Sequence, residues 1–182
     1  MPTTILKFIN KYFFICFIYL SFYNQNLYAS KEPIIRVLIA KEKKLRIRSD
    51  SNIPLIVKYK KLIKEDVKGI TLTKDRDSIK LFFDKNKSKF YEIEQDKGLL
   101  IKSNDKRGIW VGGKRYSGLI NIKNFKNEIL VVNILGIEKY LTSVVGSEMP
   151  HKWPLEALKA QAIASRTYAL KKTGNDLYDI DS

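Results

Sequence analysis

Residues 140–170 read YLTSVVGSEMPHKWPLEALKAQAIASRTYAL, and this stretch carries the clearest structural and chemical signal in the chain. It places one acidic residue, Glu148, just before a pair of prolines and an alanine-rich run. Pro154 suits the first turn of a helix, so the pattern predicts a helix over Leu155–Lys172 with Gly174 as its cap. A lone acid followed by polar side chains among small residues indicates a functional segment rather than packing alone.

Upstream of Glu148, apolar residues at helical spacing predict a shorter helix. This helix follows Gly136, and Gly146 is its predicted stop. Because Pro150 disfavours helix at the preceding residue, we expect Glu148 outside regular structure or at the very start of it. On the longer helix, four residues share one predicted apolar side: Leu155, Leu158, Ala162 and Ala169.

Glu148 is the candidate general acid and base of the chain. We predict it on a loop beside the apolar Met149 and near the N-terminus of the long helix. Apolar surroundings would raise its pKa toward neutrality, whereas the helix dipole and Arg166 would oppose that rise. Two structural alternatives are open: the carboxylate only caps the helix, and Arg166 only forms an ion pair with Glu148 or Glu156 rather than orienting a ligand.

Three further side chains near Glu148 are predicted to bind a substrate. Gln161 and Tyr168 stand, with Ser165, one turn apart on a single stripe of the long helix, while Arg166 lies on another flank. The third, Trp153, either stacks on a sugar face or packs as a core residue between the two helices.

The region before the helices, residues 33–134, reads as a series of short strands. Gly112 and Gly113 give a two-residue hairpin signal, with a return strand predicted over 115–123 and a polar turn over 84–89. The other predicted strands cover 34–39, 45–48, 55–57, 81–83, 90–93, 99–101, Ile109–Val111 and 128–134. The predicted fold class is α+β: a β-rich N-terminal part with hairpins, followed by two helices, the second long and alanine-rich.

The net charge is +15 over 182 residues, from 34 Lys and Arg against 19 Asp and Glu. This balance suggests a polyanionic partner, which could be nucleic acid, anionic lipid or an acidic cell-wall polymer. The basic residues are nevertheless spread along the chain, and lysine greatly outnumbers arginine, a bias typical of an AT-rich genome. The sequence contains no nucleic-acid-binding motif, so we predict no nucleic-acid partner.

The N-terminus predicts a secretory signal peptide over residues 1–29. Lys7 and Lys11 form a short basic region, residues 12–23 form an uncharged apolar run, and Ala29 offers a cleavage point. A spanning helix needs about 20 apolar residues, which is more than this run supplies. A cleaved signal peptide is therefore the prediction, and an uncleaved anchor is the alternative interpretation. We therefore expect an extracytoplasmic protein of the cell envelope, in the periplasm or cell wall, that touches a membrane only if this segment stays uncleaved.

Cleavage after residue 29 would remove the single cysteine, Cys16, and leave His151 as the single histidine. Disulfide bonds, thiol catalysis and a Cys/His zinc site are therefore excluded for the mature chain. A serine triad would have to use His151, which has no nucleophile-elbow motif near it. We predict no metal and no cofactor.

Over residues 137–170 the chain resembles the SpoIID/LytB domain family, named for stage II sporulation protein D and an amidase-enhancer protein. The resemblance rests on the Glu-Met-Pro, Trp-Pro and Glu-Ala-Leu-Lys-Ala-Gln-Ala elements within IEKYLTSVVGSEMPHKWPLEALKAQAIASRTYAL. The IIRVLI opening, the GGKRYSGLINI hairpin and the LVVNILGIEKYL approach follow the same pattern. The resemblance implies one domain over residues 30–182 that acts on the glycan strands of peptidoglycan. Some members of the family do so as lytic transglycosylases.

The resemblance also implies roles for single residues. The acid of the Glu-Met motif, here Glu148, is catalytic in the family, and the arginine of Ala-x-Ala-Ala-Arg-Thr-Tyr, here Arg166, is implicated, although Ser165 replaces the usual alanine. One carboxylate suffices for a lytic transglycosylase, in which the muramic acid 6-hydroxyl replaces water, whereas hydrolytic glycosidases generally use two. The alternative is a non-enzymatic amidase enhancer or glycan-binding module that recruits a cell-wall amidase.

The family pattern continues beyond residues 178–181 into a region with a Gln/Tyr motif, whereas the sequence ends at Ser182. We therefore expect a domain that is incomplete at its C-terminus and lacks one side of its groove. Weak or no turnover is expected from this polypeptide alone. Three explanations would account for an incomplete domain. The gene is truncated or frameshifted, a partner supplies the missing part, or the chain is an inactive remnant.

Overall fold

The computed structural model describes residues 31–50, 53–94, 98–150, 152–174 and 176–181. The predicted signal peptide and His151 lie outside these residues. Within them, one compact unit that begins at Pro33 is built mainly of strands, with two helices late in the chain. The predicted order, a β-rich part followed by two helices, is confirmed. Among the described residues, no helix is both long and apolar enough to span a bilayer.

The described residues form thirteen strands and two helices. The strands are β1 (Ile34–Glu42), β2 (Lys44–Arg48), β3 (Leu55–Tyr59), β4 (Leu62–Val67), β5 (Gly69–Asp75), β6 (Ser78–Phe83), β7 (Asn86–Ile93), β8 (Leu99–Ser103), β9 (Ile109–Val111), β10 (Lys114–Tyr116), β11 (Leu119–Phe125), β12 (Glu128–Gly136) and β13 (Ile180–Asp181). The helices are α1 (Ile137–Glu148) and α2 (Leu155–Lys172), so β13 alone follows them.

Two sheets share one apolar core. The seven-stranded sheet has the order β13-β1-β12-β11-β8-β3-β4, and the six-stranded sheet has the order β10-β9-β2-β5-β6-β7. Ile47 and Leu72 of the smaller sheet lie in the same fully buried cluster as Val57 and Ile122 of the larger one. The sheets therefore pack face to face. β6 alternates buried apolar residues with less buried ones, whereas β12 is buried on both faces.

The predicted two-glycine hairpin is confirmed. Lys114 pairs with Val111 across Gly112 and Gly113, which joins β9 to β10. The predicted polar turn over 84–89 is wrong in length, because β7 already begins at Asn86.

The single return strand predicted over 115–123 is also wrong. The chain leaves the six-stranded sheet after β10 and enters the seven-stranded sheet at β11. Gly118 lies between these strands with φ +102°, and a Cβ atom there would stand 2.6 Å from the Ile134 carbonyl oxygen. Glycine alone meets this conformation and this close approach without strain.

The shorter helix does not stop at Gly146, and that prediction is wrong. α1 runs through Gly146, where a Cβ would meet nothing within 4 Å, and ends at Glu148. Met149 is extended, with φ −111° and ψ 134°, as the residue before a proline prefers. Pro150 therefore ends the helix. The bounds of α2 match the predicted range, and Gly174 follows its end with φ +115°.

The helices pack on one edge of the seven-stranded sheet. Ile137 and Leu141 of α1 join Ala169 of α2 and Val37 of β1 in a second buried cluster. The predicted apolar side of α2 is only partly right, because Ala169 is fully buried whereas Leu155 is 64% exposed. α2 thus buries little of its surface among the described residues.

The segment after α2 is held against β1 by a buried carboxylate. Asp179, whose side chain is 3% exposed, accepts hydrogen bonds from the Arg36 backbone N at 2.8 Å and from Arg36 Nη2 at 2.8 Å. Arg36 Nε donates a further bond at 3.2 Å, and Gly174 N donates another at 3.3 Å. These bonds bring Ile180 beside Val37, where β13 pairs with β1 in parallel.

Candidate functional site

An open groove of about 590 Å³ lies between the two helices and the edge of the seven-stranded sheet. Its α1 side is one helical face, because residues at i, i+4, i+7 and i+8 point the same way. We call it the Glu148 groove; its lining is Tyr140, Val144, Ser147 and Glu148 from α1, Gln161, Ala164, Ser165 and Tyr168 from α2, and Val37, Ile180 and Asp181 from the strands.

Glu148 is exposed at the last position of α1. It does not lie on a loop near the N-terminus of the long helix, and that expectation is corrected. The capping alternative is not supported either, because the N-cap residue of α2 is Pro154 and no side chain forms a hydrogen bond that caps the helix. Gln161 instead donates from Nε2 to Glu148 Oε2 at 3.0 Å, and the same nitrogen lies 3.5 Å from Ser165 Oγ. One amide thus orients the carboxylate into the groove.

Arg166 does not line the Glu148 groove. Its Nη2 donates to Glu138 Oε2 at 2.9 Å, and its Nη1 donates to the other oxygen of the same carboxylate on the first turn of α1. An ion pair was among the predicted alternatives, but Glu148 and Glu156 were the wrong partners; Glu156 pairs with Lys159. The hydrogen bond from Arg166 lowers the pKa of Glu138. In the described structure, Arg166 ties α2 to α1.

Tyr140 of α1 also lines the groove and was not among the predicted site residues. Burial raises the pKa of its phenol, and the negative charge of Glu148 raises it further. The phenol is therefore protonated at neutral pH and remains a hydrogen-bond donor close to Glu148. Its spacing of eight residues from Glu148 on one helix places both on one face, and that signal was available in the sequence.

A second carboxylate, Asp181, also lines the groove and was not predicted. Its Oδ2 accepts a hydrogen bond from Lys41 Nζ at 3.0 Å, so its charge has a partner on β1. No local pattern indicates a role for Asp181, because it reaches the groove through the pairing of β13 with β1.

The two predicted aromatic contacts lie in different places. Tyr168 lines the groove and is 53% exposed, which leaves its ring open to a ligand. Trp153 is 50% exposed and does not line the groove, so neither the core alternative nor a place in this groove describes it. Within the described ranges, His, Cys, Asp and Glu form no group of three or more that could hold a metal ion.

Comparison with known proteins points to the same part of the chain. Residues 125–182 match the family model of SpoIID, stage II sporulation protein. An uncharacterized protein of Brachyspira hyodysenteriae is 39% identical over 89 residues, which are 47% of this chain and 24% of that protein. An amidase enhancer of Bacillus subtilis is 44% identical over 73 residues, 39% of this chain and 10% of that protein.

The chain therefore spans about a quarter or less of the length of these two curated relatives. No solved structure matches the chain. The family match covers β12, both helices and β13, and these elements supply ten of the eleven residues that line the Glu148 groove. The resemblance to the SpoIID/LytB family is therefore confirmed over residues 125–182.

Proposed function

We propose that this chain binds glycan strands of peptidoglycan in the Glu148 groove and cleaves them in the manner of a lytic transglycosylase. The observation that carries the proposal is the Glu148 carboxylate, oriented by Gln161 at 3.0 Å in an open groove with Tyr140 and Tyr168 beside it. Hydroxyl, amide and aromatic side chains of this kind suit a sugar chain, which offers many hydroxyls and flat apolar faces. The 44% identity with an amidase enhancer supports a role at the cell wall.

The chemistry needs one residue that gives and then takes a proton. Protonated Glu148 donates its proton to the glycosidic oxygen, and the bond from that oxygen to the muramic acid C1 breaks. The resulting carboxylate accepts the proton of the 6-hydroxyl of the same sugar as the hydroxyl oxygen bonds to C1. This closes a 1,6-anhydro ring and returns Glu148 to its starting form. Because the nucleophile belongs to the substrate, proximity replaces an activated water.

A matched pair of groove carboxylates tests the proposal. Because turnover is expected to be weak, the full chain is used in excess over purified peptidoglycan, and mass spectrometry should detect the anhydromuropeptides that it releases. Glu148→Gln should reduce them at least a hundredfold, in line with the contribution of general acid–base catalysis. Asp181→Asn should leave them largely intact, because the intramolecular hydroxyl makes a second carboxylate unnecessary.

Two results would contradict the proposal. Anhydro products made equally by Glu148→Gln and the parent chain would remove Glu148 from the chemistry. Products with ordinary reducing ends, lost in both Glu148→Gln and Asp181→Asn, would indicate a hydrolase that uses the pair of carboxylates.

A second candidate function is non-enzymatic, and the similarity to an amidase enhancer favours it. In this version the groove holds a glycan strand and the chain recruits a cell-wall amidase. Stimulation of a purified amidase that is equal for Glu148→Gln and the parent chain, with no anhydro product from either, would support it. For both functions we propose a domain that begins near residue 30, follows a cleaved signal peptide and works in the cell envelope.

A further inference from the structure

A second groove of about 670 Å³ continues from the Glu148 groove. Both grooves are lined by Val37, Tyr140, Val144 and Ser147, so an extended ligand in one can reach the other. The remaining lining comes largely from the β9–β10 hairpin and the loop before β9, and we call this the hairpin groove. Its polar side chains differ in kind from those around Glu148.

The hairpin groove is positively charged. Arg107, Lys114 and Arg115 line it. Arg107 donates to Asp105 at 2.9 Å and lies 3.5 Å from Asp50, to which Arg115 also donates. Lys114 is exposed at the hairpin and has no ion-pair partner within the described part of the chain.

The arginines share few carboxylates. Arg48 also lies 3.9 Å from Asp50, so three arginines surround the two carboxylates of Asp50 and Asp105. With Lys114 counted, four positive charges face two negative ones, and the excess is concentrated at the hairpin. Charge concentrated in this way, at a groove that adjoins a candidate active site, attracts an anionic group of the ligand.

A residue that lines the same groove, Asn133, has a buried amide oxygen without a partner among the described residues. Asn133 of β12 is 5% exposed, and its Oδ1 makes no hydrogen bond with any described residue. Buried polar atoms are nearly always paired, so an unpaired oxygen on a residue that lines a groove suggests a donor from a ligand. Tyr116 stands in the same lining, and burial raises the pKa of its phenol, which therefore remains a donor.

We propose that the hairpin groove is a carboxylate subsite that holds a muramyl unit next to the bond at Glu148, with Lys114 as its main cation and Asn133 Oδ1 accepting an amide N–H of the same unit. This inference rests on the proposed glycan function. Each muramyl unit carries an acetamido N–H and a carboxylate, either the free lactyl group or one on an attached peptide. A polyphosphate would satisfy the cations but offers no N–H to Asn133.

Three ligands distinguish the two sources of the carboxylate, the lactyl group and the attached peptide. An uncharged chitin oligosaccharide has the glycan backbone without carboxylates, a peptide-free peptidoglycan fragment adds lactyl carboxylates, and a peptide-bearing fragment of equal length adds peptide carboxylates. Binding to the full chain is measured by calorimetry at low salt. At least one charged fragment should bind about two- to fivefold tighter than the uncharged one, the range expected for one exposed charge pair. The fragment that gains affinity identifies the source.

The variants assign that gain to the hairpin. Lys114→Gln should abolish it, Lys114→Arg should retain it, and Lys58→Gln, which removes a charge from an exposed site on β3 outside both grooves, should leave it unchanged. Equal affinity for all three ligands in the parent chain would overturn the subsite and leave the proposed function standing. A loss in Lys114→Gln that is equal for the charged and uncharged ligands would also overturn it. Binding of none of the three would overturn both proposals.

Discussion

Arg166 and Glu148 stand on neighbouring helices, yet their polar partners are different. Arg166 binds Glu138 at the start of α1, while Glu148 at the other end of α1 receives the amide of Gln161. The contribution of Arg166 is therefore expected to come from fixing α2 against α1, which places Gln161 within reach of Glu148. The family resemblance implicates this arginine, and the described contacts give it a positioning role.

This positioning role predicts equal effects from both ends of the ion pair. Arg166→Gln and Glu138→Gln should lower the melting temperature slightly and equally at pH 7, and should reduce glycan cleavage or binding to the same extent. Because the pair lowers the pKa of Glu138, its contribution is present above the ordinary pKa of glutamate and is lost as the pH falls through the lowered value. Melting curves of parent and variants should therefore converge as the pH falls below the lowered pKa of Glu138. A loss of cleavage in Arg166→Gln alone would show that Arg166 acts directly on the ligand.

The residues of the site could be predicted where helical spacing applies. The stripe of Gln161, Ser165 and Tyr168 lines the groove as one face of α2, and Glu148 is next to it. Asp181 and the partner of Arg166 could not be predicted, because both depend on contacts between elements far apart in the sequence. Local spacing contains no information on such contacts.

At the level of elements, Gly118 controls where the chain passes from one sheet to the other. In the sequence, residues 115–123 read as one strand, because the departure from the six-stranded sheet depends on a positive φ that the residue pattern does not specify. β5 was also missed, although the alternation of Ile70 and Leu72, both fully buried, was a usable signal. β4 is an edge strand with charged residues, and its place in the sheet comes from pairing with β3.

Gly118→Ala tests that passage. The added Cβ would lie 2.6 Å from the Ile134 carbonyl oxygen at a backbone φ of +102°, so the variant should lose about 1–3 kcal/mol of unfolding free energy. Gly113→Ala is the matched control, since a Cβ there meets nothing within 4 Å in the neighbouring hairpin. Urea unfolding of the two variants gives the comparison. Equal midpoints would mean that the backbone at Gly118 relaxes without cost.

Asp179 anchors the strand that completes the groove. Burial raises the pKa of its carboxyl, but the hydrogen bonds from Arg36 outweigh burial, so the pKa is lowered overall. Its contribution to stability is therefore present above the ordinary pKa of aspartate and is lost as the pH falls through the lowered value.

Asp179→Asn should therefore destabilise the protein by about 1–3 kcal/mol at pH 7, the cost of breaking buried hydrogen bonds to a charged group, and by much less near pH 2. Asp176→Asn, at an exposed position three residues earlier, is the control and should have little effect at either pH. Chemical unfolding at the two pH values measures both. A penalty for Asp179→Asn that does not change with pH would contradict the role of its charge.

Across the whole molecule, the core and the site lie in different places. The strands of two sheets supply the large core, whereas the Glu148 groove is formed by two helices that pack on one edge and expose Leu155, Ile163, Tyr168 and Leu170. The sequence predicted the class of the fold because strand and helix periodicities are local. It did not predict two sheets packed face to face, since strand order follows from pairings such as β1 with β12, about a hundred residues apart.

The charge of the whole chain predicts how it binds cell walls. With 34 basic against 19 acidic residues, the full chain should sediment with purified walls at 0.1 M salt, where charges act over about 10 Å, and much less at 1 M, where they act over about 3 Å. Contacts in the Glu148 groove depend less on charge and should account for the wall binding that remains at 1 M salt. Tyr168→Ala should reduce that remainder through the loss of a 53% exposed ring in the groove.

Phe90→Ala is the control for that experiment, because it removes a 45% exposed ring outside both grooves and should leave the salt-resistant binding unchanged. Complete release at 1 M salt together with an absence of anhydro products would favour a basic envelope protein held by charge alone. Binding that does not change with salt would contradict a contribution from the net charge. Residual binding that is weaker in Tyr168→Ala but not in Phe90→Ala would place the glycan strand beside Glu148, where the proposed chemistry requires it.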